Sequence, residues 1–86
     1  MDGKTGLYDV DEEKRKRVSS TIKEVCDALN ERGYNPINQI VGYLISGDPG
    51  YISGYKDSRE KILEFDRADL AAILLEDYIQ KNKWDV

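Results

Sequence analysis

The sequence contains no histidine and only one cysteine, Cys26. The first absence removes the commonest general base and the commonest transition-metal ligand. Together they leave a zinc site of the ordinary Cys/His kind without ligands inside one chain, and no cofactor or metal is expected. A lone cysteine cannot form an intramolecular disulfide, which suits a reducing compartment; the expected location is the cytoplasm. No apolar run approaches the length of a membrane span and no signal-peptide core stands at the start, so no membrane association is expected. Basic residues are also in deficit, 13 against 17 acidic, for a net charge of −4. Phosphate backbones are bound by clustered Lys and Arg, so nucleic acid is not an expected partner.

What is present is a normal globular mixture, 40% apolar and 35% charged. Eighty-six residues make room for one domain. A chain of this size buries a thin core, which favours association with a second copy.

Residues 1–10, MDGKTGLYDV, lack helical periodicity and are expected to form a flexible leader. Asp11 suits an N-cap, with Glu12 and Glu13 where the helix dipole favours negative charge. Val18, Ile22, Val25 and Leu29 then recur at helical spacing to about Arg32, and Gly33 supplies the left-handed stop. Asn35-Pro36 reads as a cap followed by a first-turn proline. Ile37, Ile40, Val41, Leu44 and Ile45 form a broad apolar stripe up to Gly47. Gly42 inside it costs about 1 kcal/mol relative to Ala and implies close packing.

Asp48-Pro49 repeats the cap-and-proline device, opening a short turn through Tyr51 and Ile52. Asp57 with Glu60 reads as a capping-box variant starting a short helix with Ile62, Leu63 and Phe65 inward. Asp66 is expected to cap a last helix facing the core with Leu70, Ile73, Leu74, Tyr78 and Ile79, while Lys81 and Lys83 suit its dipole. The fold class is therefore all-α: a compact bundle of about five helices, one of them short, spanning 11–83 and followed by a tail at 84–86.

Few motifs carry chemistry. Asp66 with Asp69 and Glu76 with Asp77 are acidic pairs, but helix capping and solvation account for them. SGDPG at Ser46–Gly50 lacks the Walker spacing and the Lys-Ser/Thr that follows it, so it is a turn. Cys26 fits boundary packing, with no His to activate it. Lys14-Arg15-Lys16-Arg17 is the sharpest charge feature. It reads either as a solvated helix face or as a landing place for an anionic group, including a phosphate on the nearby leader. A small helical DNA-binding transcriptional regulator is the alternative reading. The helices after Gly33, however, offer apolar residues where a recognition helix carries polar ones.

The stretch GYNPINQIVGYLISGDPGYI, Gly33 to Ile52, is more specific than any of these motifs. It resembles the IreB family (also known as ReoM), small regulatory phosphoproteins of Gram-positive bacteria. Lys56-Asp57-Ser58-Arg59 and Glu64-Phe65-Asp66-Arg67 follow in register, and the first helix aligns through Val25, Ala28-Leu29 and Arg32-Gly33, so the resemblance covers roughly 11–82. It implies a helical homodimer without catalytic activity, the substrate of a PASTA-type Ser/Thr kinase and its phosphatase. It further implies control of peptidoglycan synthesis and antibiotic tolerance through Clp-protease-dependent degradation of the committing enolpyruvyl transferase. The phosphoacceptor falls on Thr5, the only Thr in the leader, with Tyr8 three residues on. The family's exposed partner-binding arginines fall on Arg59 and Arg67. Two departures stand out: Ser53-Gly54 replaces a usual Pro-Arg, and Leu63 replaces a further Arg.

Overall fold

The computed structural model describes residues 11–83; the leader with Thr5 and the tail at 84–86 lie outside the described residues. Four α-helices follow one another: α1 (Glu12–Glu31), α2 (Pro36–Ser46), α3 (Ser58–Ile62) and α4 (Arg67–Lys81). Two single 3-10 turns, Pro49–Tyr51 and Tyr55–Asp57, join α2 to α3. Among the described residues the domain is all-helical. The bundle of about five helices expected from sequence resolves into these four α-helices and two turns.

Local chemistry sets most of the boundaries. Asp11 Oδ1 accepts the Lys14 N–H at 2.7 Å, and Asn35 Oδ1 accepts the Asn38 N–H at 3.1 Å. Gly33 and Gly47 follow α1 and α2 at φ 79° and 77°, the left-handed conformation that a side chain resists. Asp48 Oδ1 accepts the Gly50 N–H at 2.9 Å and fixes the first 3-10 turn.

Two expected caps do not form. Asp57 makes no side-chain cap bond; it and Lys56 both sit in the left-handed region, at φ 62° and 54°. Ser53 takes over the work at this turn. Its carbonyl accepts the Arg59 N–H at 3.2 Å, its Oγ accepts the Tyr55 N–H at 3.1 Å, and its own N–H donates to Gln39 Oε1 at 2.9 Å. Asp66 occupies the N-cap position of α4 in extended conformation, but its carboxylate also makes no cap bond. The negative charge of that first turn is Asp69.

α1 is the central post, touching α2, α3 and α4. Its Val18, Val25 and Leu29 meet Ile40 and Tyr43 of α2, together with Ile52, Ile62, Phe65, Leu70 and Ile73, in one core. Burying a side chain such as Leu29 or Ile62 contributes about 1.5–3 kcal/mol. The apolar stripes are wider than this core. On α2, Ile40 is buried and Leu44 is packed at the edge, but Ile37, Val41 and Ile45 are 71%, 44% and 79% exposed. Leu63, Leu74 and Tyr78, expected inward, are also open, as is Leu75. α2 lies against α1 and the first 3-10 turn, so an arc broader than that contact remains uncovered.

Candidate functional site: the arginine face

α2 ends without a basic residue in its own last turn. The charge comes instead from α4: Arg67 Nη1 donates to the Leu44 carbonyl at 3.1 Å, and its guanidinium lies against Gly47. A cation on the unpaired carbonyls of a helix end is favoured by the dipole. A Cβ on Gly47 would come within 2.8 Å of Arg67 Cζ and push this exposed guanidinium aside, while the positive φ is what requires glycine.

Arg59 holds the other side of the same connection. Its Nε–H is shared between the carbonyls of Pro49, at 3.1 Å, and Ile52, at 2.9 Å. Both arginines are exposed, and among the described residues neither reaches a carboxylate. Each guanidinium is thus oriented by main-chain oxygens that leave its charge uncompensated. That arrangement can recognise an anion with little further ordering.

The basic run on α1 has a different character. Lys14 Nζ donates to Asp69 Oδ2 at 3.1 Å, across to a carboxylate that is nearly buried. Arg15 is bonded to Glu76 and lies 3.7 Å from Glu12. The Glu76 hydrogen bond raises the Arg15 pKa further above its already high value. The Arg17 guanidinium stacks 5.3 Å from the Phe65 ring centroid. Three of the four cations therefore tie α1 to α4 and to the segment before it. Lys16 is the one of the four that makes neither an ion pair nor a ring contact among the described residues.

Sequence reasoning placed Arg59 and Arg67 by resemblance and missed that each also holds the backbone of 44–52. The signal was present in α2, which lacks a basic last turn. A second set of cations closes the far end of α1: Lys56 Nζ meets Glu31 Oε1 at 2.8 Å, and Arg32 lies 4.7 Å above the Tyr55 ring. The hydrogen bond to Lys56 lowers the Glu31 pKa, and its counterpart raises that of Lys56. Cys26 is half-buried, and burial pushes its thiol pKa up, away from reactivity.

Between α1 and α4 lies a cleft of about 290 Å³ with Val18, Ile22, Ile73 and Leu74 among its apolar walls. No helix among the described residues is long and apolar enough to cross a membrane.

Fold and site together define a small all-helical protein that presents a fixed cationic face beside uncovered apolar helix surface. The family model for the IreB regulatory phosphoprotein matches residues 3–80. The chain therefore belongs to the IreB family of regulatory phosphoproteins.

Proposed function

We propose that this protein is a non-enzymatic cytoplasmic switch, modified on Thr5 by a PASTA-type Ser/Thr kinase and reset by its phosphatase. The output is peptidoglycan synthesis and antibiotic tolerance, governed through Clp-dependent proteolysis of the enolpyruvyl transferase. Arg59 and Arg67 form the face that engages the protein partner. The observation that carries this reading is their geometry: two exposed guanidiniums held by backbone carbonyls and, among the described residues, left without carboxylates. Lys14, Arg15, Lys16 and Arg17 are a second candidate docking place for the phosphate. A phosphate adds about −1.5 to −2 charge, enough to reorganise contacts with either group.

The working unit is a homodimer. Ile37, Val41 and Ile45 are spaced one helical turn apart along the open side of α2, and Leu75 and Tyr78 do the same on α4. Covering such faces with a second copy supplies the apolar burial that a domain of this size lacks.

The test is retention of partners on immobilised protein, unmodified or carrying phosphothreonine at position 5, read by mass spectrometry. Protease subunits or the transferase should be retained by one form only, and Thr5→Ala should lock the unmodified behaviour. Equal retention by both forms, together with no effect of Arg59→Ala or Arg67→Ala, would reject the switch.

A further inference from the structure

We infer that the phosphate on Thr5 docks on the Arg59–Arg67 face, and that phosphorylation acts by occupying the partner's own contact surface. This rests on the proposed modification of Thr5 and names how it works.

The argument starts with which cations are free to take an anion. A phosphate landing on the α1 run would have to displace the Asp69 carboxylate from Lys14 or Glu76 from Arg15. It would find Arg17 stacked on Phe65. What remains there is Lys16, a single exposed ammonium with Glu12 and Glu13 one turn before it.

Among the described residues, Arg59 and Arg67 have no such competitors. Asp48 uses Oδ1 on the Gly50 N–H, and neither Asp66 nor Glu60 reaches a guanidinium. Each fork is already pinned through one edge, Nε of Arg59 and Nη1 of Arg67. The remaining N–H groups can form charge-assisted bonds to phosphate oxygens while losing little side-chain freedom.

Reach is the second condition. Lys14 contacts Asp69 and Arg17 contacts Phe65, so the first turns of α1 run beside residues 65–69, where Arg67 stands. Thr5 precedes Asp11 by six residues. Six extended residues span about 20 Å, which lets a phosphate search the surface around the start of α1, where residues 65–69 and so Arg67 lie. In a homodimer the leader of either subunit meets the same chemistry.

The consequence is direct exclusion. If the arginines carry the partner, an internal phosphate seated on them removes that surface without any refolding of the helices.

The experiment uses the full chain with phosphothreonine built in at position 5, so its outcome does not depend on whether a given kinase acts. Two signals are read: the phosphorus resonance through its second ionisation, and the Nε–Hε resonances of the arginines. Docking on guanidinium favours the dianion, so the phosphate midpoint should fall by about half a unit below that of a free phosphopeptide of residues 1–10. That is a roughly threefold weaker hold on the proton. The Nε–Hε signals of Arg59, Arg67 or both should shift between the unmodified and phosphorylated proteins. The midpoint should return to the peptide value in Arg59→Lys, Arg67→Lys protein and stay low in Lys16→Gln protein. The arginine resonances keep the test decisive should the double variant fold poorly. A midpoint equal to that of the peptide, or one restored only by changes at Lys16 or Arg17, overturns the inference. If docking is seen while partner retention is unaffected by phosphate, the inferred site stands and the proposed switch falls.

Discussion

Replacing Gly42 by alanine should weaken this protein, against the usual trend for an exchange inside a helix. Ala is favoured over Gly at an interior helical position by about 1 kcal/mol. Here a Cβ would stand 2.9 Å from Tyr51 Cε1 and nearer still to Cδ1, with Cγ at 3.0 Å. Contact with Cγ means that rotating the ring cannot clear the clash; the whole side chain must leave. Tyr51 is half-exposed, so it gives up about 100 Å² of burial, worth about 2.5 kcal/mol. The balance is a net loss of about 1–2 kcal/mol, or a fall in melting temperature of about 4–16 °C. With Tyr51→Ala already made, Gly42→Ala should raise stability by about 1 kcal/mol instead. Urea titrations of the four proteins at one fixed concentration close the cycle, with an expected coupling of about 2.5 kcal/mol. A Gly42→Ala protein as stable as its parent while Tyr51 is present would show that the ring does not seal this helix.

Other consequences follow from the charged contacts. Lys14→Ala leaves the nearly buried Asp69 carboxylate without its partner and should cost about 1–2 kcal/mol; Lys14→Ala with Asp69→Ala should recover part of that loss in thermal unfolding. The Glu31–Lys56 pair sets a weak acid dependence. Because Lys56 holds the Glu31 pKa below its ordinary value near 4.5, its contribution is present above that value. It is lost as pH falls through the lower folded-state value. The pair is exposed, so Glu31→Gln should flatten only slightly the decline of melting temperature below pH 5, and added salt should erase the difference.

The sequence revealed those parts of the structure that neighbours in the chain decide. Asp11, Gly33, Asn35, Gly47 and Asp48 act on groups within a few residues, so their roles could be read directly. Asp57 looked identical in type to these caps, yet Ser53 and Gln39 satisfy that turn through contacts made only once α2 folds back. The α2 stripe had the right period but gave no measure of how wide an arc its neighbours would cover. Which cations are spent and which remain open was beyond local reading altogether. Lys14 with Asp69, Arg15 with Glu76 and Arg67 with Leu44 join residues 55, 61 and 23 positions apart. An isolated basic run looks the same whether its charges face solvent or a carboxylate on another helix.

That distinction gives meaning to Ser53 and Gly54, the two positions where the resemblance implies a Pro-Arg. Ser53 donates its N–H to Gln39, a bond that proline cannot make, so this chain ties down the turn beneath its arginines by a hydrogen bond. Gly54 has φ −81° and ψ 0°, which any L-residue tolerates, and a Cβ there would meet only Arg59 Nη1 at 3.8 Å, an ordinary contact. Gly54→Arg is therefore sterically permitted, and stability should change by no more than about 0.5 kcal/mol. Its charge would join a face whose guanidiniums are already uncompensated. A phosphopeptide of residues 1–10 added in trans to Gly54→Arg protein should bind several-fold more tightly at low salt than to the parent. It should show no such gain with Ser20→Arg, which adds the same single charge at an exposed position of α1 beside the basic run. Equal gains at the two positions would mean that the arginine face has no special hold on phosphate and that net charge alone governs the leader.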